Sequence, residues 1–189
     1  MNEQSVLDLI KAGGVPYDSV RGKIKSGDLL ALHHDFVASW YGVQIEAVQR
    51  FTGPFAHVAM FQWVNWGGVD RLGVCESVVP KRRFVAVSAT AEEGFFWLPM
   101  NREPSAEEHR AVADSMGFGE YDKLGAIEAG LDKLPADEDA NPRMWCAKAV
   151  NLWRRVSGVD LGSRYVPTDM VLTAILKYNA RLQYVRMNP

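Results

Sequence analysis

The sequence predicts an α+β fold in which helices pack on an antiparallel sheet. Three observations predict it. The first half carries β-type runs joined by short turns, the second half carries capped helical segments, and apolar residues make up 48% of the 189, enough for the core of one domain. Residues 1–189 are therefore read as a single domain, with 1–24 as an N-terminal helical extension.

In chain order, Ser5 and Asp8, with Val6, Leu9 and Ile10 on one side and Gly13-Gly14 behind, predict a short capped helix. After the turn residues Lys25-Ser26-Gly27, the segment from Asp28 to Leu32 predicts a short apolar strand. Asp35 then caps a helix carrying Val37, Trp40, Val48 and Phe51, which Gly53-Pro54 stops. Three β-type runs follow, His57 to Trp63, Val69 to Glu76 and Arg83 to Ser88, with Gly67-Gly68 as the hairpin turn between the first two. Short turns between consecutive strands favour antiparallel pairing. Phe95 to Leu98 predicts a further strand, ended by Pro99.

Ser105 and Glu108 form a capping box before Val112 and Met116, and Gly117 closes that helix. A second helix is expected from Lys123 to Leu134, and the polar stretch Pro135 to Asn141 is expected as a surface loop. Two helices finish the chain, one with Cys146, Val150 and Trp153 on one stripe, the other with Met170, Ala174, Ile175, Tyr178 and Leu182.

A formal net charge of −2 gives no general attraction to nucleic acid or anionic lipid, because phosphate binding needs clustered Lys and Arg. The run Lys81-Arg82-Arg83 is short and is expected as a solvated turn between strands. Two cysteines, Cys75 and Cys146, do not make a disulfide framework, although a single bridge stays open. The N-terminus lacks the apolar core of a secretory signal, and no apolar run is long enough to span a bilayer, so a cytoplasmic location is expected, with signal-independent export left open.

A cysteine nucleophile needs an imidazole to form thiolate, and the imidazole needs a third polar group to fix its tautomer. Of the four histidines, His57 alone begins an apolar strand; His33 and His34 sit at a strand-to-helix junction and His109 lies in a charged helix. Glu76 ends a strand one hairpin away from His57, so neighbouring strands can bring the two together. Cys146 lies near a helix start, where free N–H groups favour a thiolate and an oxyanion; Asn141-Pro142 would start that helix at Pro142, whereas a start nearer Met144 suits the chemistry better.

Each of these residues also has an inert reading. Cys146 shares its stripe with Val150 and Trp153 as a small core hydrophobe would, His57 can be structural, and Glu76 can be solvated beside Ser77. His33, His34, Asp35, His57 and Glu76 are metal-ligand types, but their spacing does not match a helix-borne motif, and no metal or other cofactor is expected.

Longer segments bear a resemblance that extends over roughly 25–176. Ser26-Gly27-Asp28-Leu29-Leu30 resembles a Gly-Asp-Leu opening strand, Phe51 to Met60 a histidine strand, and Val74-Cys75-Glu76-Ser77 the strand that supplies a third polar residue. Gly119-Glu120-Tyr121-Asp122 resembles a Gly-x-x-Tyr-Asp segment, Met144 to Val150 a nucleophile helix, and Val166 to Met170 a Pro-x-Asp turn. In this order they resemble the YiiX/YaeF-like branch of the NlpC/P60 superfamily, related to lecithin-retinol acyltransferase-like proteins, in which the papain-like order is circularly permuted. The chain departs from that pattern at Ala147-Lys148, where Ser-Glu is frequent, and at Trp145, where Tyr is frequent.

The resemblance implies a permuted papain-like fold and a triad of Cys146, His57 and Glu76. It implies a thiol hydrolase that cleaves an amide bond in a peptide or peptidoglycan stem through an acyl-enzyme, with Trp145, Tyr121 and Trp97 as candidate substrate-binding residues. Two alternatives stand beside it. A lipid acyl hydrolase or acyltransferase would use the same triad, with Trp40, Trp63, Phe95, Phe96 and Trp97 lining an acyl slot; a non-catalytic module would use the groove to bind a ligand.

Overall fold

The computed structural model describes residues 2–36, 52–117, 121–131, 145–162 and 164–187. It is an α+β arrangement around one seven-stranded sheet. The strands are β1 (Val15–Pro16), β2 (Leu29–His33), β3 (Phe55–Trp66), β4 (Val69–Ser77), β5 (Arg82–Ala86), β6 (Gly94–Leu98) and β7 (Gln183–Arg186), in the spatial order β1-β7-β6-β2-β3-β4-β5. The helices are α1 (Glu3–Lys11), α2 (Tyr17–Val20), α3 (Val87–Thr90), α4 (Ala106–Ser115), α5 (Lys123–Gly130), α6 (Cys146–Val156) and α7 (Pro167–Tyr178). The helix expected after Asp35, the loop 135–141 and the proposed helix starts at Pro142 and Met144 lie outside the described residues.

The expected strands form, but the sheet is mixed rather than antiparallel. Five neighbouring pairs are antiparallel, while β1 runs parallel to β7. The correction comes from β7, which the sequence reading missed by extending the last helix through Leu182. Asn179 takes a left-handed φ of 54° and ends α7 at Tyr178, the ordinary work of Asn at a helix C-terminus, and frees the tail to pair with β6 and β1. The third β-type run also stops early, since the chain turns into α3 at Val87 instead of continuing to Ser88.

Alternation along the strands builds two cores. Leu29, Ala31, Val58 and Met60 join Ala149 and Val150 of α6 and Met170, Val171 and Ala174 of α7. Leu30, Leu32, Ala59, Phe61 and Val74 join Val20, Ile24, Phe95 and Trp97 on the other side. Covering on both faces explains why β2 and β3 read as continuous apolar runs. The N-terminal residues are built into this core, through Val6 on one face and Val20 and Ile24 on the other.

The capping box at α4 is half made. Ser105 accepts from the Glu108 N–H (3.1 Å), but the Ser105 N–H donates to Ser157 Oγ instead of to Glu108. The Glu108 carboxylate turns inward to a fully buried ion pair with Arg154 of α6 (2.8 Å), whose other Nη donates to the Arg102 carbonyl. At the other helix end, the cap of α1 is Asn2, which accepts from the Ser5 N–H, and not Ser5 itself. Among the described residues no helix is long and apolar enough to cross a membrane.

Candidate active site

Antiparallel register places His57 beside Glu76. Met60 stands opposite Cys75, so Glu76 is one step beyond that pair and His57 is its diagonal neighbour on β3. An ionised carboxylate only accepts, so His57 Nε2 donates to Glu76 Oε2 at 2.8 Å. The other carboxylate oxygen accepts from Arg83 Nε (2.8 Å), Arg83 Nη2 (2.8 Å) and Thr90 Oγ1 (3.1 Å). Burial pushes the Glu76 carboxyl up, but the His57 and Arg83 contacts outweigh it and hold it below its ordinary value.

The third member comes from a distant part of the chain. Cys146 is the first residue of α6, with Trp145 as its N-cap in extended conformation. The helix thus begins at the cysteine itself, beyond either start considered from sequence. The thiol lies close enough to the His57 ring to act on its protonation. Because Nε2 is committed to Glu76, Nδ1 is the ring nitrogen left for the sulfur. Burial pulls the imidazolium down, yet the interactions with Cys146 and Glu76 outweigh it and raise His57 to about 9. All three side chains are fully buried.

The two cysteines are free and differ in surroundings. Cys75 packs in the core beside Met60, and burial with the Glu76 charge nearby pushes its thiol up to about 12. It has no imidazole to offset that.

Of the three residues proposed to meet substrate, one lies near the thiol. Tyr121 is buried, its hydroxyl has no hydrogen-bond partner among the described residues, and burial followed by the Cys146 and Asp122 charges pushes its pKa well up. Trp145 adjoins the cysteine in sequence but is spent on structure: its indole N–H donates to the Tyr165 carbonyl (2.8 Å), its ring meets that of Tyr165 edge-on, and Lys148 Nζ lies over it. Trp97 is not brought to the thiol. It belongs to the opposite core, where its N–H donates to Asp28 Oδ2 (2.9 Å).

Of the residues expected to line an acyl slot, Phe95 and Trp97 share one core with Trp63 packed against it, whereas alternation on β6 sends Phe96 into the other. Trp63 donates its N–H to the Ile24 carbonyl (2.8 Å), and Trp40 lies outside the described residues. The metal-type residues are dispersed as well. His33 pairs with Glu3 (2.6 Å) and Asp35 (3.4 Å), His34 Nε2 bonds to the Gly53 carbonyl (2.6 Å), and no group of three His, Cys, Asp or Glu among the described residues is arranged to hold a metal.

Sequence reasoning missed Arg83 and Thr90. Arg83 is read from sequence both as the start of a strand and as part of a solvated turn with Lys81 and Arg82; Arg82 and Arg83 begin β5, where Arg83 stands directly opposite Glu76. Arg82 is itself buried and donates to the Ser115 carbonyl (3.0 Å). The register of the β4–β5 pair was the available signal, since a cation opposite a carboxylate is a favourable cross-strand pair. No family model matches the chain, and comparison with curated proteins finds no match.

Proposed function

We propose that this protein is a cysteine hydrolase of the permuted papain-like, NlpC/P60 type that cleaves amide bonds, in a peptide or peptidoglycan stem, through an acyl-enzyme. One observation carries the reading: a single buried imidazole donates to a carboxylate at 2.8 Å and stands close to a thiol at a helix N-terminus.

The steps follow from that arrangement. The Cys146 thiolate attacks the acyl carbon while His57 carries the proton as imidazolium. The backbone N–H of Cys146, at the first position of α6, has no intrahelical acceptor and is one donor to the developing oxyanion; the Tyr121 hydroxyl, without a hydrogen-bond partner among the described residues, is the other. Collapse breaks the C–N bond as His57 gives its proton to the leaving amine. Water then attacks the thioester, His57 takes its proton, and the carboxylic acid leaves with thiolate restored. Glu76, braced by Arg83 and Thr90, keeps the ring oriented throughout.

Cys146 and His57 are fully buried, so substrate must displace what covers the sulfur before attack. The same burial favours a second reading, a non-catalytic binding module on this scaffold. Hydrolysis of peptidoglycan fragments and p-nitrophenyl esters by the wild type, Cys146→Ala and His57→Ala separates them. Activity lost in both folded variants supports the hydrolase; full activity in either one sinks it, and ester-only turnover moves the substrate class to lipids.

A further inference from the structure

A groove of about 510 Å³ opens where β5 leaves β4, and none of its lining residues belongs to the triad. β5 ends at Ala86, opposite Gly73, whereas β4 begins at Val69, so residues 69–72 of β4 have no strand partner on that side among the described residues. Trp66 and Val69 close the two-residue Gly67-Gly68 turn as a hydrogen-bonded pair. Antiparallel alternation then sends the backbone groups of Val69, Arg71 and Gly73 to β3, and turns those of Asp70 and Leu72 toward the groove.

The two charged residues that line the groove are both cations. Arg21 and Arg71 line the groove, and among the described residues neither is paired with a carboxylate. Asp70, the acid next to Arg71, accepts from Asn65 Nδ2 (2.7 Å), and Arg21, three residues after Asp18, lies over the Trp63 ring at 5.3 Å. On a chain of net charge −2 this is a local exception. Trp66 at the groove is 70% exposed and Val69 beside it 54%, large apolar surface at the tip of an open strand edge. Strand edges that proteins merely protect are blunted by charge; here both cations flank an apolar floor of Leu72 and Phe84 that a ligand can cover.

We infer that the open edge of β4 at Asp70–Leu72 is a strand-addition site for an extended peptide segment bearing acidic side chains. The unpaired N–H and C=O groups supply the main-chain ladder, and Arg21 and Arg71 select carboxylates on the incoming strand. Anionic lipid or nucleic acid would meet the guanidiniums but leave the backbone row unused. The inference does not depend on the hydrolase reading.

The test titrates the full chain with a fluorescein-labelled peptide alternating valine and glutamate, with its valine–lysine counterpart, and with the acidic peptide N-methylated at alternate amides. Anisotropy should report binding of the unmethylated acidic peptide alone, weakened by salt and by at least about tenfold in Arg71→Glu. Amide NMR shifts should move at Asp70 and Leu72, and Asp70→Pro, which removes an outward N–H at an exposed position, should weaken binding without unfolding the hairpin. Equal binding of the methylated peptide, or no binding at millimolar concentration, overturns the inference. So does a dimer in solution that Asp70→Pro dissociates, since a second copy would then occupy the edge.

Discussion

Replacing Glu76 with Gln keeps the shape of the triad while removing its charge, and the effect can be sized. Burial alone would pull the His57 imidazolium below its ordinary range; instead it stands at about 9 against 6.5, a difference worth about 3 kcal/mol. Cys146 and Glu76 share that gain and the offset of burial besides. Loss of the Glu76 charge removes one of the two groups that hold the proton on His57, and thiol reactivity at neutral pH should fall by on the order of tenfold. The assay is iodoacetamide alkylation followed by peptide mapping, which needs no substrate. Cys75 is the internal control: with its thiol at about 12, only on the order of one molecule in 10⁵ carries that thiolate at pH 7. Cys146 should therefore label far faster than Cys75 in the wild type, about tenfold more slowly in Glu76→Gln, and more slowly still in His57→Ala. Equal labelling of the two cysteines, or a Cys146 rate indifferent to both substitutions, would refute the reasoning.

Other consequences are open to measurement. Either Glu108→Gln or Arg154→Met leaves a buried partner uncompensated and should cost about 3–5 kcal/mol in urea unfolding, while the double variant Glu108→Leu with Arg154→Met should cost less than either alone. Trp145→Phe removes the donor to the buried Tyr165 carbonyl and should lower stability by about 1–3 kcal/mol. His57 binds its proton more tightly folded than unfolded, so its stabilising contribution is complete below pH 6.5 and is lost as pH rises through about 9. The fall in unfolding free energy across that window should flatten in His57→Gln. Thr90→Val removes one donor from Glu76 and should depress Cys146 alkylation less than Glu76→Gln does.

Much of the site was legible because its parts obey local rules. A histidine on one strand and a glutamate on the next, joined by a Gly-Gly turn, are brought together by register alone. Arg83 escaped because three consecutive basic residues look like a solvated turn until strand pairing places one of them opposite a carboxylate. Trp97 and Phe96 looked like one aromatic patch because adjacent letters hide the two-residue period that divides them between faces.

By itself the sequence determined the strands β2 to β6, the Ser105 cap of α4, and the small set of titratable groups from which any chemistry must be drawn. Those depend on side-chain periodicity and turn residues, which act over a few neighbours. Tertiary structure alone decided that a tail strand pairs with residues near the N-terminus, that Glu108 faces Arg154 instead of its own helix end, and that the thiol at 146 meets the imidazole at 57. Each is a contact between segments far apart in the chain, set by how buried surfaces and charges are satisfied together and carried by no local pattern.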